Sequence, residues 1–140
     1  MTLSPQIGMA SLLKDHPDRP SSARSQVFAK LINGTHTEFA VLVYSNRIFV
    51  TVTQCGKIGN LFSVHQESAQ DKDCLSAKAL TIFNIKCVLG VDSEDTEQAV
   101  RLLAERLDAS LPLLISLTLP VLDRATTLQV ADALLEKRCW

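Results

Sequence analysis

The sequence predicts an α+β domain: a six-stranded antiparallel sheet with two helices on one face, the other sheet face being used for dimerisation. Three observations carry this. Short runs of apolar and β-branched residues, many of them alternating, are separated by turn residues from about Gln26 to Leu89. Helical spacing of apolar residues appears only later, in two stretches that each begin with a capping residue. Between those stretches, Leu113 to Leu119 is almost wholly apolar and is ended by Pro120, as a buried strand would be.

Residues 1–24 contain Pro5, Pro17 and Pro20, several serines and no sustained period, so they are expected to form a disordered arm, with the domain proper spanning 25–140. Four strands follow quickly: Gln26–Ile32 and Thr35–Tyr44 around an Asn33-Gly34 turn, Arg47–Gln54 after Ser45-Asn46, and Asn60–His65 after the Gly56–Gly59 turn. Such short connections predict antiparallel neighbours throughout. A polar loop, Gln66–Ser76, leads to a fifth strand at about Lys78–Leu89. The first helix is predicted over Ser93–Ala109, where Asp92 to Glu97 supply a cap and an acidic first turn and Ala99, Val100, Leu103 and Leu107 recur at helical spacing. The sixth strand is Leu113–Leu119. A second helix begins at Asp123, presents Leu128, Ala131, Leu134 and Leu135, and ends in Lys137 and Arg138, where positive charge complements the dipole.

Neither face of this sheet reads as fully polar. In the third strand Ile48, Val50 and Val52 oppose Phe49, Thr51 and Thr53, and in the sixth Leu113, Ile115 and Leu117 oppose Leu114, Ser116 and Thr118. Two helices cover one face only, which leaves a mixed aromatic, aliphatic and hydroxyl surface for a partner sheet. The expected dimer interface is Phe49, Thr51, Thr53, Ser116 and Thr118.

Catalytic and ligand-binding patterns are missing from the sequence. The net charge of -1 gives no broad attraction to nucleic acid or anionic lipid, and no apolar window approaches the roughly 20 residues a bilayer span requires. The four cysteines, Cys55, Cys74, Cys87 and Cys139, form no C-x-x-C pair and are expected to be reduced. His16, His36 and His65 lack metal-ligand spacing. Cys55 and His65 could be drawn as a thiolate and its base, but His65 falls several residues along the strand. Gly56-Lys57 lacks the frame of a phosphate-binding loop. Asn33-Gly34-Thr35 matches a glycosylation sequon and reads instead as a hairpin turn. No metal, cofactor or catalytic residue is therefore assigned, and a cytoplasmic location, with access to the nucleus, is expected.

What remains is the hairpin Val50 to Leu61, where Gly56 and Gly59 are expected to take positive φ and to project Lys57 and Ile58. Thr53-Gln54, Gly56-Lys57 and Gly59, the strand end Val88-Leu89-Gly90 and Trp140 together resemble the proteasome assembly chaperone 3 family over roughly Gln26 to Trp140. Cys55 departs from that pattern, standing where a bulky apolar residue is expected, and residues 1–24 extend beyond the usual start. The resemblance implies a non-enzymatic chaperone of 20S proteasome assembly. Such a protein pairs with proteasome assembly chaperone 4, binds α-type proteasome subunits, notably the α5 subunit, promotes correct α-ring formation and leaves as β subunits join. A homodimer of the isolated chain is compatible with it. The subunit contact expected from the exposed tip is Gly56, Lys57, Ile58 and Gly59. The alternative is a dimeric scaffold subunit of the roadblock or longin type in a trafficking or motor complex, although those domains open with a helix that this sequence does not show.

Overall fold

A computed structural model describes residues 24–69 and 80–140. Residues 1–23 of the expected arm and most of the expected polar loop lie outside the described residues, while Arg24, expected as the end of the arm, opens the first strand. The elements run β1 (Arg24–Ile32), β2 (Thr35–Val43), β3 (Ile48–Thr53), β4 (Leu61–Ala69), β5 (Leu80–Leu89), α1 (Glu94–Leu107), β6 (Leu113–Thr118) and α2 (Arg124–Glu136). The six strands and two helices match the expected α+β class, and Gln66 to Ala69, expected as loop, continues β4.

The sheet order is β1-β2-β3-β6-β4-β5, and here the structure corrects the sequence reading. The sheet is mixed, not purely antiparallel. β3 and β4 are not neighbours: β6 lies between them, parallel to β3 over Ile48–Thr53 against Leu113–Thr118 and antiparallel to β4 over Phe62–Val64. A short connection implies an antiparallel pair only when no other strand occupies the gap, and β6 arrives from much later in the chain. Its apolar run is what suits it to the middle of the sheet, with a strand on each side and the helices over one row of its side chains. β5, α1 and β6 then form a split βαβ unit, with β4 between its two parallel strands.

Both helices pack on one face. Phe39, Val41, Ile48, Val50, Val52, Phe62, Val64, Leu113, Ile115 and Leu117 meet Val100, Leu103, Leu107, Val130 and Leu134 in a single core. Phe28 stacks on Phe39 with ring centroids 4.7 Å apart, extending that core beneath β1. At the expected turn, Asn33 and Gly34 both take positive φ, as a two-residue hairpin requires, and the Asn33 amide bonds Thr126 and Gln129 on α2. Ser93 caps α1 by accepting from the Thr96 amide, and Asp123 caps α2 by accepting from the Thr126 amide at 2.8 Å. α1 ends on Asp108 in the left-handed region.

Hydrogen bonds from Thr126, first from its hydroxyl and then from its amide, hold the Asp123 carboxyl below its ordinary value of 3.8. Lys30, through a hydrogen bond and its charge, lowers that of Glu136 at the other end of the same helix. Both groups are easier to ionise folded than unfolded. Their contributions are therefore complete above the unfolded carboxylate range and are lost as pH falls through the folded values. The thermal midpoint is expected to decline as pH drops from about 5 to about 3. Asp123→Asn, which keeps a capping acceptor but cannot titrate, should flatten part of that decline in a melting series across this range.

Candidate functional site

The segment from Gln54 to Asn60 must cross two strand spacings, about 10 Å, to join β3 to β4 over the end of β6. It is tied down as it crosses. The Gln54 amide donates to the Thr118 carbonyl, and its side-chain amide donates to Thr37 Oγ1 at 3.0 Å. The Gly59 amide donates to Thr118 Oγ1 at 3.0 Å. Asn60 Nδ2 donates to the Leu117 carbonyl at 2.6 Å, while Asn60 Oδ1 accepts from the Leu117 amide at 2.9 Å. The Asn60 side chain thus stands in for a strand backbone and completes the ladder where β4 has not yet begun. Sequence reasoning passed over Asn60; an asparagine directly before a strand is the one local signal it left.

Gly56 has φ +73 with nothing within 4 Å of a Cβ position, so its constraint is purely one of backbone conformation. Gly59, expected to share that conformation, does not take positive φ. Its place is set by Thr118, whose Cγ2 would lie 3.4 Å from an added Cβ. Lys57 is exposed and Ile58 is 48% exposed, so the tip presents one cation and one aliphatic side chain to solvent as expected. Cys55 is exposed beside them, and its thiol is lowered from the ordinary range by hydrogen bonds from Thr53 and the Lys57 amide and by the Lys57 charge. His65 sits on β4 opposite Asn84, bonded to Ser63 Oγ, and β6 separates its strand from β3. The structure does not make a thiolate and base pair of Cys55 and His65. Among the described residues no group of His, Cys, Asp or Glu could hold a metal ion, and no helix is long and apolar enough to cross a membrane.

The sheet face away from the helices is graded. Val27, Leu31, Ala40, Leu42, Tyr44, Phe49 and Leu114 make most of its β1-β2-β3-β6 half apolar, with the exposed pair His36 and Glu38 near the first turn as the exception, and Val27 and Leu31 are 61% and 65% exposed. Ser63, His65, Glu67, Asn84 and Lys86 make most of the β4-β5 half polar. The five residues expected at the interface share this face. Phe49 and Thr118 are half-buried, while Thr51, Thr53 and Ser116 are buried among their neighbours. Accessible apolar area on the face therefore comes from β1, β2 and Phe49 more than from the hydroxyl residues. Thr51 Oγ1 and Ser116 Oγ, register partners at the sheet centre, find no hydrogen-bond partner among the described residues.

A family model described as proteasome assembly chaperone 3 matches residues 50–137, from β3 through α2. The chain belongs to the proteasome assembly chaperone 3 family. The match includes the crossing loop, Gly90, both helices and β6, so the family spans the mixed half of the sheet as well as the candidate tip. The fold is also similar to a chain in the crystal structure of a chaperone complex for yeast 20S proteasome assembly. The TM-score is 0.63 at 16% identity, over 81% of this chain and 97% of that one. No curated protein matches the chain in sequence. The family is one of chaperones, which are not enzymes as a class.

The two glycines of the tip are expected to respond differently to substitution. Gly56→Val forces a β-branched residue to positive φ and should cost about 1–3 kcal/mol of stability. Gly59→Ala adds only an ordinary van der Waals contact and should stay within about 0.5 kcal/mol of the wild type. Denaturant melts of the two variants check this.

Proposed function

We propose that this protein is a non-enzymatic chaperone of 20S proteasome assembly in the cytoplasm. It pairs with proteasome assembly chaperone 4 through the apolar half of the open sheet face, and it binds an α-type subunit, the α5 subunit foremost, through the Gly56–Gly59 tip. The observation that carries this reading is the family match across β3 to α2, which includes that tip. The graded face supports the pairing, because its apolar half offers a partner sheet an aliphatic and aromatic contact with charge confined to Glu38 near the first turn, while its polar half tolerates water. The tied-down loop supports the subunit contact, because a preorganised tip loses little entropy on binding.

Such a protein acts by differential affinity. Free α subunits expose surfaces that can join wrong neighbours, and a chaperone on one of them biases the choice by a few kcal/mol without chemistry. Arriving β subunits that compete for the same surface release it by mass action, with no nucleotide needed.

Affinity capture with the purified chain tests the class: proteasome α subunits and proteasome assembly chaperone 4 should be recovered together, and their absence would remove the reading. Phe49→Arg, which places a charge in the apolar half of the face, should abolish pairing in size-exclusion chromatography at low micromolar concentration while the circular dichroism spectrum is kept. Lys57→Glu should leave the thermal midpoint unchanged and weaken subunit capture by about 1 kcal/mol, chiefly through a slower, salt-dependent association.

A further inference from the structure

Lys57 and Ile58 do not stand alone at their end of the sheet. β5 finishes at Leu89, opposite Leu61, and Gly90 turns the chain at φ +90 hard against the crossing loop. A Cβ on Gly90 would lie 2.4 Å from the Gly59 carbonyl oxygen and 3.0 Å from Asn60 Cα, so only glycine permits this approach. The contact locks the β5–α1 turn to the loop, so that the residues flanking Gly59 and Gly90 share one corner of the sheet. Ile58, Leu89 and Val91 are 48%, 57% and 82% exposed there. Val91 stands further out than any other large apolar side chain among the described residues. Lys57 lies on the loop side of the corner, and exposed Asp92 lies on the helix side, followed by the acidic first turn of α1. Scattered exposed aliphatics need no explanation, but aliphatic residues on two loops that a backbone contact holds together, flanked in the chain by a lysine on one loop and an aspartate on the other, have the make-up of a contact surface.

We propose that the subunit contact is this composite corner, Ile58, Leu89 and Val91 between Lys57 and Asp92, and not the tip alone. This deepens the reading of the tip as the α-subunit contact and rests on it. The occupant is an α-type subunit surface with an apolar patch that carries a carboxylate toward Lys57 and a basic group toward Asp92. The charges set orientation, since docking the same patch in reverse would bring like charges together. The aliphatic centre sets residence time, and Gly90 and Asn60 hold the two loops in place before the partner arrives.

Binding kinetics of the full chain on immobilised α5 subunit test the proposal with Val91→Ser, Leu89→Ser, Lys57→Glu and Asp92→Lys. The extreme exposure of Val91 makes its replacement neutral for folding, so an unchanged thermal midpoint is expected there and Val91→Ser is the deciding variant. It should raise the dissociation rate about fivefold with little change in association, as loss of a buried aliphatic anchor does. Lys57→Glu and Asp92→Lys should instead slow association with a salt dependence. Wild-type rates for Val91→Ser and Leu89→Ser alongside impaired binding by Lys57→Glu would overturn the corner and leave the tip reading standing. Unaltered binding by all four variants, or no binding by the wild type, would overturn both.

Discussion

Pairing between β3 and β6, parallel and in register from Ile48 with Leu113 to Thr53 with Thr118, is the constraint on which the rest of this structure depends. A parallel neighbour cannot be reached through a turn, so β4, β5 and α1 must all be laid down before β6 closes the centre of the sheet. β4 is thereby displaced by one strand, and the segment that leaves β3 must travel across the end of β6 to reach it. β6 presents Leu113, Ile115 and Leu117 to the helices, while its other row, Leu114, Ser116 and Thr118, lies in the opposite face. Burial of the first row, at roughly 25 cal/mol per Å² of apolar surface, is what makes the insertion favourable.

That insertion also makes the candidate site. A loop in a simple hairpin would be held only by its own strands. Here Gly59 and Asn60 bond Thr118 and Leu117 of an intervening strand, and Gly90 presses on the same residues from the other side. The ends of β3, β5 and β6, the connection between β3 and β4 and the starts of both helices therefore collect at one end of the sheet, while the open face lies at right angles to them. Two surfaces result: a face suited to another sheet, and a corner suited to a compact patch. The proposed function, pairing with one protein while holding another, needs that separation, because a single surface cannot serve two partners at once.

None of this calls for reactive chemistry. The thiol of Cys55 is exposed and its pKa is lowered, yet no histidine or carboxylate among the described residues is bonded to it, and the three free cysteines among those residues are distributed through the fold. The polar devices at the loop end serve structure: Asn33 bridges the first turn to α2, Asn60 completes a ladder, and Ser93 and Asp123 cap the helices. Under the proposed function, specificity rests on shape and on a few charges, which suits an encounter that ends when another subunit arrives.

The sequence by itself determined the elements and the faces they bury. Alternation placed Ile48, Val50 and Val52 on one side of β3, helical spacing placed Leu103 and Leu107 inward, and Asn33-Gly34, Ser93 and Asp123 marked a turn and two caps that the structure shows at those positions, because each is a local preference of the chain. The six residues Leu113–Thr118 were legible as a buried strand for the same reason. What tertiary structure alone decided was where that strand goes. No local preference distinguishes an antiparallel edge from a parallel centre for an apolar run; the choice is made by how strands, helices and connections fill space together. The mixed order, the role of Asn60, the ordinary φ of Gly59 and the corner of Leu89 and Val91 beside the tip all descend from that one placement. They became visible only when residues far apart in the chain were brought into contact.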